Sequence, residues 1–425
     1  MVSPAVAVTA ARARSMRWPV VGLLTVGVII AYVDRVNLSS AMPVMRKALG
    51  LSAEQSGILL SAFFWSYAAL QIPAGWVVDR FGVKWPYTIA FLLWSVISAA
   101  TAAMSTFAGL LAIRVLLGVG ESIVTPAAMR YIGSSFGEKQ RGLAIGVYMS
   151  GTKYGPAIGA PIAAYLVRDY GWQIMFLVTG LGCLLWLVPW VLLARDDQVA
   201  PAAAVSVSPS PQSPSRSHPP SPAQSWGAIL SSPVLWGTFL ATFCYMYFVY
   251  FCMTWMPTYF KDRHGLSLTS SGWYTFMSFG GMATIAIIAG FAADGLIARG
   301  FRAAAVRRGF TIAGFVLAST VVVGALARSE SVTLFFAVFS LSGLGLATAN
   351  YWALTQTLMP GAAIGRVAGI QNTAANLAGV AAPWLTGWMV DKTGKFDAPL
   401  MAIGFWLAVG IGCYVFLVRE KYAPR

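Results

Sequence analysis

Five ionisable side chains stand inside stretches that are otherwise almost wholly apolar: Asp34, Arg35, Arg114, Glu121 and Lys153. A charge at the centre of a bilayer costs ~2.5–3.5 kcal/mol on insertion scales, so such residues face a protein interior or a water-filled cavity and mark ion or substrate pathways. Arg114 and Glu121 lie seven residues apart, close to two helical turns, which puts them on one helix face, one above the other. Gly118 and Gly120 between them let a backbone or a ligand come close. Asp34 and Arg35 are neighbours, and adjacent helical residues differ by ~100° in direction, so they need not pair with each other. Lys153 sits in Ser150-Gly151-Thr152-Lys153-Tyr154-Gly155-Pro156, a stretch broken by glycine and proline as in helices that bend around a site. Low dielectric favours a neutral carboxyl and a nearby arginine an ionised one, so a carboxyl under both influences can exchange a proton near neutrality. Three cations against two acids leave the set at net +1 with both acids ionised and at net +3 with both protonated. Protonation thus strengthens the attraction for an anion, which is the linkage that couples proton and anion movement. The blander alternatives are an Asp34–Arg35 helix-end pair that snorkels to the interface, structural ion pairs for Arg114 and Glu121, and a Lys153 that only neutralises an acid.

The elements that position these residues are twelve apolar runs, at roughly 18–41, 57–78, 84–104, 107–129, 141–166, 173–194, 233–256, 270–293, 306–328, 331–357, 366–390 and 397–419. Each is long enough to cross a hydrocarbon core of ~30 Å as a helix. The composition agrees: of 425 residues 58% are hydrophobic and 10% charged, against ~25% charged in a soluble domain, with mean hydropathy +0.70. The expected class is an all-α membrane protein. A net charge of +15 would suggest nucleic acid as a partner if its placement were ignored. Placement follows the membrane instead. With the N-terminus cytoplasmic, eighteen basic residues fall in cytoplasmic segments and eight on the opposite side, which predicts both termini inside. Arg12, Arg14 and Arg17 precede a first run too long for a signal-peptide core, so that run reads as helix 1. The four cysteines all lie in apolar runs and the two histidines in loops, which argues against a disulfide framework or a metal site.

Residues 195–232 separate the sixth and seventh runs, and their middle, 200–225, is rich in Pro, Ser and Ala without apolar period. This predicts a disordered cytoplasmic linker. The expected organisation is a cytoplasmic tail 1–17, an N-terminal six-helix bundle 18–194, the linker 195–232, a C-terminal six-helix bundle 233–419 and a tail 420–425. The halves echo each other. Gly75-Trp-Val-Val-Asp79-Arg80-Phe-Gly82-Val-Lys84 follows the second run, and Gly290-Phe-Ala-Ala-Asp294-Gly-Leu-Ile-Ala-Arg299 follows the eighth. Such internal repeats are a mark of transporters built from two bundles around a midplane site.

These stretches resemble the major facilitator superfamily: Gly75–Lys84 its signature loop between helices 2 and 3, and Arg114-x-x-x-Gly118-x-Gly120 its helix 4 motif. More narrowly the chain resembles the anion:cation symporter family. That resemblance is carried by Tyr32-Val-Asp34-Arg35-Val-Asn37-Leu-Ser39, by Ser61 through Gly75 with Tyr67, Gln71 and Pro73, by Gly118-Val-Gly-Glu121, by Trp255-Met-Pro257-Thr-Tyr259 and by Asn376-Leu-Ala-Gly379-Val-Ala-Ala-Pro383. It implies uptake of an organic anion with protons as the coupling ion and no other cofactor, with a sugar acid (aldonate, hexuronate or aldarate) as the expected substrate. By this resemblance Asp34 and Glu121 are proton carriers, Arg35 and Arg114 meet the anion, and Tyr32, Tyr67 and Asn376 line its pocket. Lys153, too deep in its run to face lipid, is expected to line the same cavity and meet the anion, and Asp79, Arg80, Lys84 and Asp294 are expected to be gating elements, an aspartate being favoured at a helix N-terminus.

Away from their ends the C-terminal runs carry no ionisable charge but hold Asn350, Gln356, Gln371, Asn372 and Asn376, which suit the hydroxyls of a polyol acid because a buried amide needs a hydrogen-bond partner. For the aromatic residues there, Tyr250, Trp255 and Trp352, packing is the simpler expectation. The expected partners are a small organic anion, protons and the lipid bilayer of a bacterial inner membrane, with the chain acting as a monomer. Rival readings are uptake of a small dicarboxylate or aromatic acid, a proton antiporter that exports its substrate, and a sensor that binds without transporting. No nucleophile–base set or phosphate loop appears in the runs, so an enzyme is not expected.

Overall fold

A computed structural model describes residues 4–194, 226–327, 329–359 and 364–423. Among them there are fifteen α-helices and no strand. The helices of the first half are α1 (Pro4–Leu49), α2 (Ala53–Phe81), α3 (Lys84–Ala100), α4 (Phe107–Glu121), α5 (Val124–Ser135), α6 (Glu138–Gly182) and α7 (Leu187–Leu193). A short α8 (Trp226–Leu230) follows, then α9 (Pro233–His264), α10 (Leu268–Ala298), α11 (Ala303–Ser319), α12 (Val321–Leu326), α13 (Glu330–Leu358), α14 (Ile364–Thr393) and α15 (Asp397–Gly412). Ten helical runs among the described residues are long and apolar enough to cross a membrane. Most of the expected linker, 195–225, lies outside the described residues, and its end at Trp226–Leu230 is helical.

Local chemistry accounts for the punctuation. Gly50 takes a left-handed conformation (φ 64°) after α1. At the start of α2, Ser52 Oγ accepts from Gln55 N while Gln55 Oε1 accepts from Ser52 N, a reciprocal capping box. The expected run 107–129 is two helices, because Pro126 has no N–H to give the Ser122 carbonyl and its ring crowds that group. The chain therefore breaks its helical ladder one residue after Glu121. The run around Lys153 continues through α6 to a sharp turn at Gly171 (φ 84°, ψ 163°), where two helical limbs meet. Helix α1 starts well before the expected residue 18 and continues past Asn37, Ser39 and Ser40 to Leu49. Asp34 and Arg35 are therefore mid-helix and buried rather than a helix-end pair at an interface.

The chain divides into two compact units, Met1–Gly50 with Ala62–Ser210, and Leu51–Ser61 with Pro211–Arg425. In the first, α1 packs along α6, and α3 packs on α4 and α6. Gly151, Gly155 and Gly159 of α6 meet Thr25, Tyr32 and Val33 of α1 so closely that a Cβ would crowd them. In the second, α13 packs on α10 and α11, and α9 on α14 and α15. The opening turns of α2 group with the second unit because Asp391 accepts from Ala53 N (2.8 Å) and Glu54 N (2.6 Å).

Candidate functional site

The site lies in the first unit, where α1, α2 and α4 meet. Gly118 makes that meeting possible, since a Cβ there would overlap the Phe63 carbonyl and the Ser66 hydroxyl of α2. Ser66 Oγ in turn donates to the Val115 carbonyl at 2.6 Å. Gly120 admits Trp94 of α3 in the same way. The glycines expected to allow close approach therefore admit neighbouring helices.

Across this contact Arg35 Nε donates to Glu121 Oε2 at 2.9 Å, with the side chains 4% and 0% exposed. The guanidinium carbon lies 4.4 Å from the Tyr32 ring centroid, 4.6 Å from that of Phe63 and 4.7 Å from that of Tyr67. Desolvated cation–π contacts are worth up to ~2 kcal/mol each, and three of them make this a site built for a positive charge. Arg114, also buried, lies 5.4 Å from the Phe63 ring. Tyr32, Arg35, Tyr67, Arg114 and Glu121 are thus one cluster. It is Arg35 that pairs with Glu121 across the two helices.

Asp34 turns the other way, as the ~100° step between helical neighbours requires. Its Oδ1 accepts from Ser98 Oγ of α3 at 3.1 Å and from Asn37 Nδ2 at 3.3 Å. Asn37 Nδ2 also donates to Thr179 Oγ1 of α6 at 3.0 Å. Lys153 makes no hydrogen bond or ion pair with the described residues and joins neither acid. Asn376 belongs to the second unit, where its Nδ2 donates to the Asn372 carbonyl of its own helix at 3.0 Å. Asp79 is in the last turn of α2 and pairs with Arg130 of α5 at 2.7 Å. Asp294 pairs with Arg307 at 3.2 Å. Arg80 is exposed, and Lys84 Nζ lies 5.4 Å from the Trp85 ring.

Phe63, Ser98 and Thr179 were not singled out by the sequence. Phe63 precedes Tyr67 by one turn and stacks on it at 5.2 Å, so the spacing of aromatic residues on α2 was its signal. Ser98 closes a stripe Tyr87, Phe91, Trp94, Ser98 on the buried face of α3. Nothing in that stripe says that the hydroxyl crosses to α1.

The chain matches the family model of the Major Facilitator Superfamily over residues 24–383. It belongs to that superfamily. It is 30% identical over 416 residues to the hexuronate transporter of Bacillus subtilis, covering 95% of this chain and 94% of the relative. It is 27% identical over 426 residues to the D-galactonate transporter of Escherichia coli, covering 97% and 98%. The fold is that of a bacterial homologue of the human lysosomal transporter Spinster in its inward-facing, unoccupied structure, with TM-score 0.79 at 17% identity, covering 95% of this chain and 97% of that one. The major facilitator chain is accordingly a multi-pass membrane transporter and not an enzyme, and its relatives carry small organic anions.

Proposed function

We propose that this transporter is a proton-coupled symporter that takes up a small organic acid, most simply a hydroxylated sugar acid, across a bacterial inner membrane. The observation that carries the reading is the Arg35–Glu121 pair, a guanidinium under three aromatic rings whose partner can be neutralised by one proton. A substrate carboxylate and Glu121 compete for the same guanidinium. Protonation of Glu121 frees Arg35 for the substrate, and loss of that proton returns Arg35 to Glu121 and weakens binding. Proton and anion then travel together because each favours the other.

Asp34 carries a second proton. Arg114 and Lys153 add positive potential for the anion, Tyr32 and Tyr67 bound its carboxylate end, and Asn376 meets its hydroxyls. Hexuronate and D-galactonate, named for two relatives, are hydroxylated carboxylates, which supports this substrate class. Asp79, Arg80, Lys84 and Asp294 act on the change of conformation. Counting the two limbs of α6 separately and adding α14 to the ten membrane-length runs gives the twelve spans of the reading, with both termini cytoplasmic from the distribution of Lys and Arg. The chain acts as a monomer.

The test is uptake of labelled D-glucuronate and D-galactonate by the purified protein in liposomes. An inward proton gradient is expected to drive accumulation of at least one above equilibrium, and a protonophore to collapse it. Accumulation driven only by an outward proton gradient would make the protein an antiporter and overturn the reading.

A further inference from the structure

Asp34 and Glu121, both buried in the first unit, differ in their partners, uncharged donors for one and an arginine for the other, and the surroundings of Asp34 define a role for residues that touch neither Arg35 nor its rings. Thr179 Oγ1 donates to the Met175 carbonyl at 2.8 Å, which commits its hydrogen. It can therefore only accept from Asn37, which turns the NH2 end of that amide inward. The two amide hydrogens of Asn37 are then spent on Thr179 and on Asp34 Oδ1, and the amide cannot flip without losing both. Ser98 is different. Most buried serines and threonines here bond a carbonyl of their own helix, as Ser39, Ser61 and Ser122 do. Among the described residues Ser98 Oγ bonds only Asp34 Oδ1. With no carbonyl of its own helix to serve, its hydroxyl stays a donor to Oδ1 whether Oδ2 carries a proton or not. Both donors converge on Oδ1, while the buried Oδ2 has no hydrogen-bond partner among the described residues.

We propose that Ser98, together with Asn37 locked by Thr179, is a positioning device that clamps Oδ1 of Asp34 so that Oδ2 alone takes and releases the coupling proton. The inference rests on the reading of Asp34 as a proton carrier. The charged and titratable groups that act on this carboxyl are Glu121 and Arg114 from α4 and the Cys183 thiol just after α6, with Arg35 its neighbour in sequence on α1; the buried face of α3 brings no charged group. None of them donates to Oδ2. A donor on Oδ1 favours the ionised form, so removing one makes the group hold its proton to higher pH.

The experiment is a pH titration of the purified, detergent-solubilised protein by infrared difference spectroscopy, which needs no substrate. The carboxyl C=O band lost in Asp34→Asn belongs to Asp34. In Ser98→Ala its midpoint is expected to move about one pH unit to the alkaline side, the size of one charge-assisted hydrogen bond, and its frequency to rise as the carbonyl loses a donor. Ser98→Thr restores the hydroxyl and is expected to return both, which a general loss of packing would not do. Thr179→Val, which keeps shape and unlocks the Asn37 amide, is expected to shift the midpoint the same way by a smaller amount. An Asp34 band whose midpoint and frequency are unmoved in both Ser98→Ala and Thr179→Val overturns the positioning role while leaving Asp34 as a proton carrier. If Asp34→Asn removes no titrating band, the reading of Asp34 itself fails and takes the inference with it.

Discussion

The interiors of the two units solve the problem of buried polarity differently. In the first, charged groups are held: Arg35 pairs with Glu121 across helices, and Asp34 accepts from Ser98 of α3 and from Asn37 of its own helix. In the second, uncharged groups bond one another. Gln371 Nε2 donates to Thr355 Oγ1 at 3.0 Å and Thr242 Oγ1 at 3.3 Å, Tyr245 OH bonds Thr348 Oγ1 at 2.8 Å, and Trp255 Nε1 donates to the Pro383 carbonyl at 2.9 Å. A neutral hydrogen bond keeps the same partners at any pH, whereas an ion pair can be undone by one proton. The difference teaches where energy from a proton gradient can enter the molecule. Among the described residues, only the first interior has an ion pair whose existence depends on protonation.

Glu121→Gln tests that asymmetry most severely. The amide keeps size and hydrogen-bonding capacity but cannot titrate. Gradient-driven accumulation in liposomes is expected to fall to that of protein-free vesicles, while exchange of labelled for unlabelled substrate at equal pH remains measurable. Accumulation at the wild-type level would remove Glu121 from coupling. Arg35→Ala comes next. Losing a desolvated charge partner costs ~2 kcal/mol or more, so affinity for the anion, measured by calorimetry, is expected to drop at least ~30-fold. An unchanged affinity would take Arg35 out of the carboxylate site.

The converse probe lies in the second unit. Gln371→Leu removes two neutral hydrogen bonds and leaves two threonine hydroxyls short of a donor, so a stability loss of ~1–2 kcal/mol is expected in thermal melts. The pH dependence of uptake is expected to stay as in the wild type. A shifted pH profile would break the comparison, because a neutral network would then take part in coupling.

Much of this was legible in the chain itself, for physical reasons. Apolar runs of membrane length have few other uses, and a charge within one is too costly to be incidental. That is why Asp34, Arg35, Arg114 and Glu121 stood out before any coordinates. Their pairing did not, because Arg35 and Glu121 are 86 residues apart and meet only when their two helices are packed together. Helix ends were partly legible. Ser52 with Gln55 is a capping box in plain view, and Pro126 marks the break after Glu121. The continuation of α1 to Leu49 was hidden, because Asn37, Ser39 and Ser40 look like a polar helix end and are in fact buried. Ser98 was least legible, since a serine on a helix face carries no sign of which helix it will address.

The smallest expected effect concerns what the units share. Asp79 pairs with Arg130 and Asp294 with Arg307, and the exposures match: 63% and 69% for the aspartates, 17% and 22% for the arginines. Each loop is also turned by a left-handed glycine, Gly82 (φ 83°) and Gly300 (φ 95°). The repeat written in the sequence as Gly75…Asp79 and Gly290…Asp294 is thus a repeat of geometry, kept where the interiors diverge. Because the carboxylates are largely solvated, each pair is worth at most ~1 kcal/mol and is screened by salt. Asp79→Asn and Asp294→Asn are therefore expected to lower the melting temperature slightly and about equally, with both differences fading in high salt. A large and salt-insensitive effect in one alone would mean that the two loops have parted in role as the interiors have.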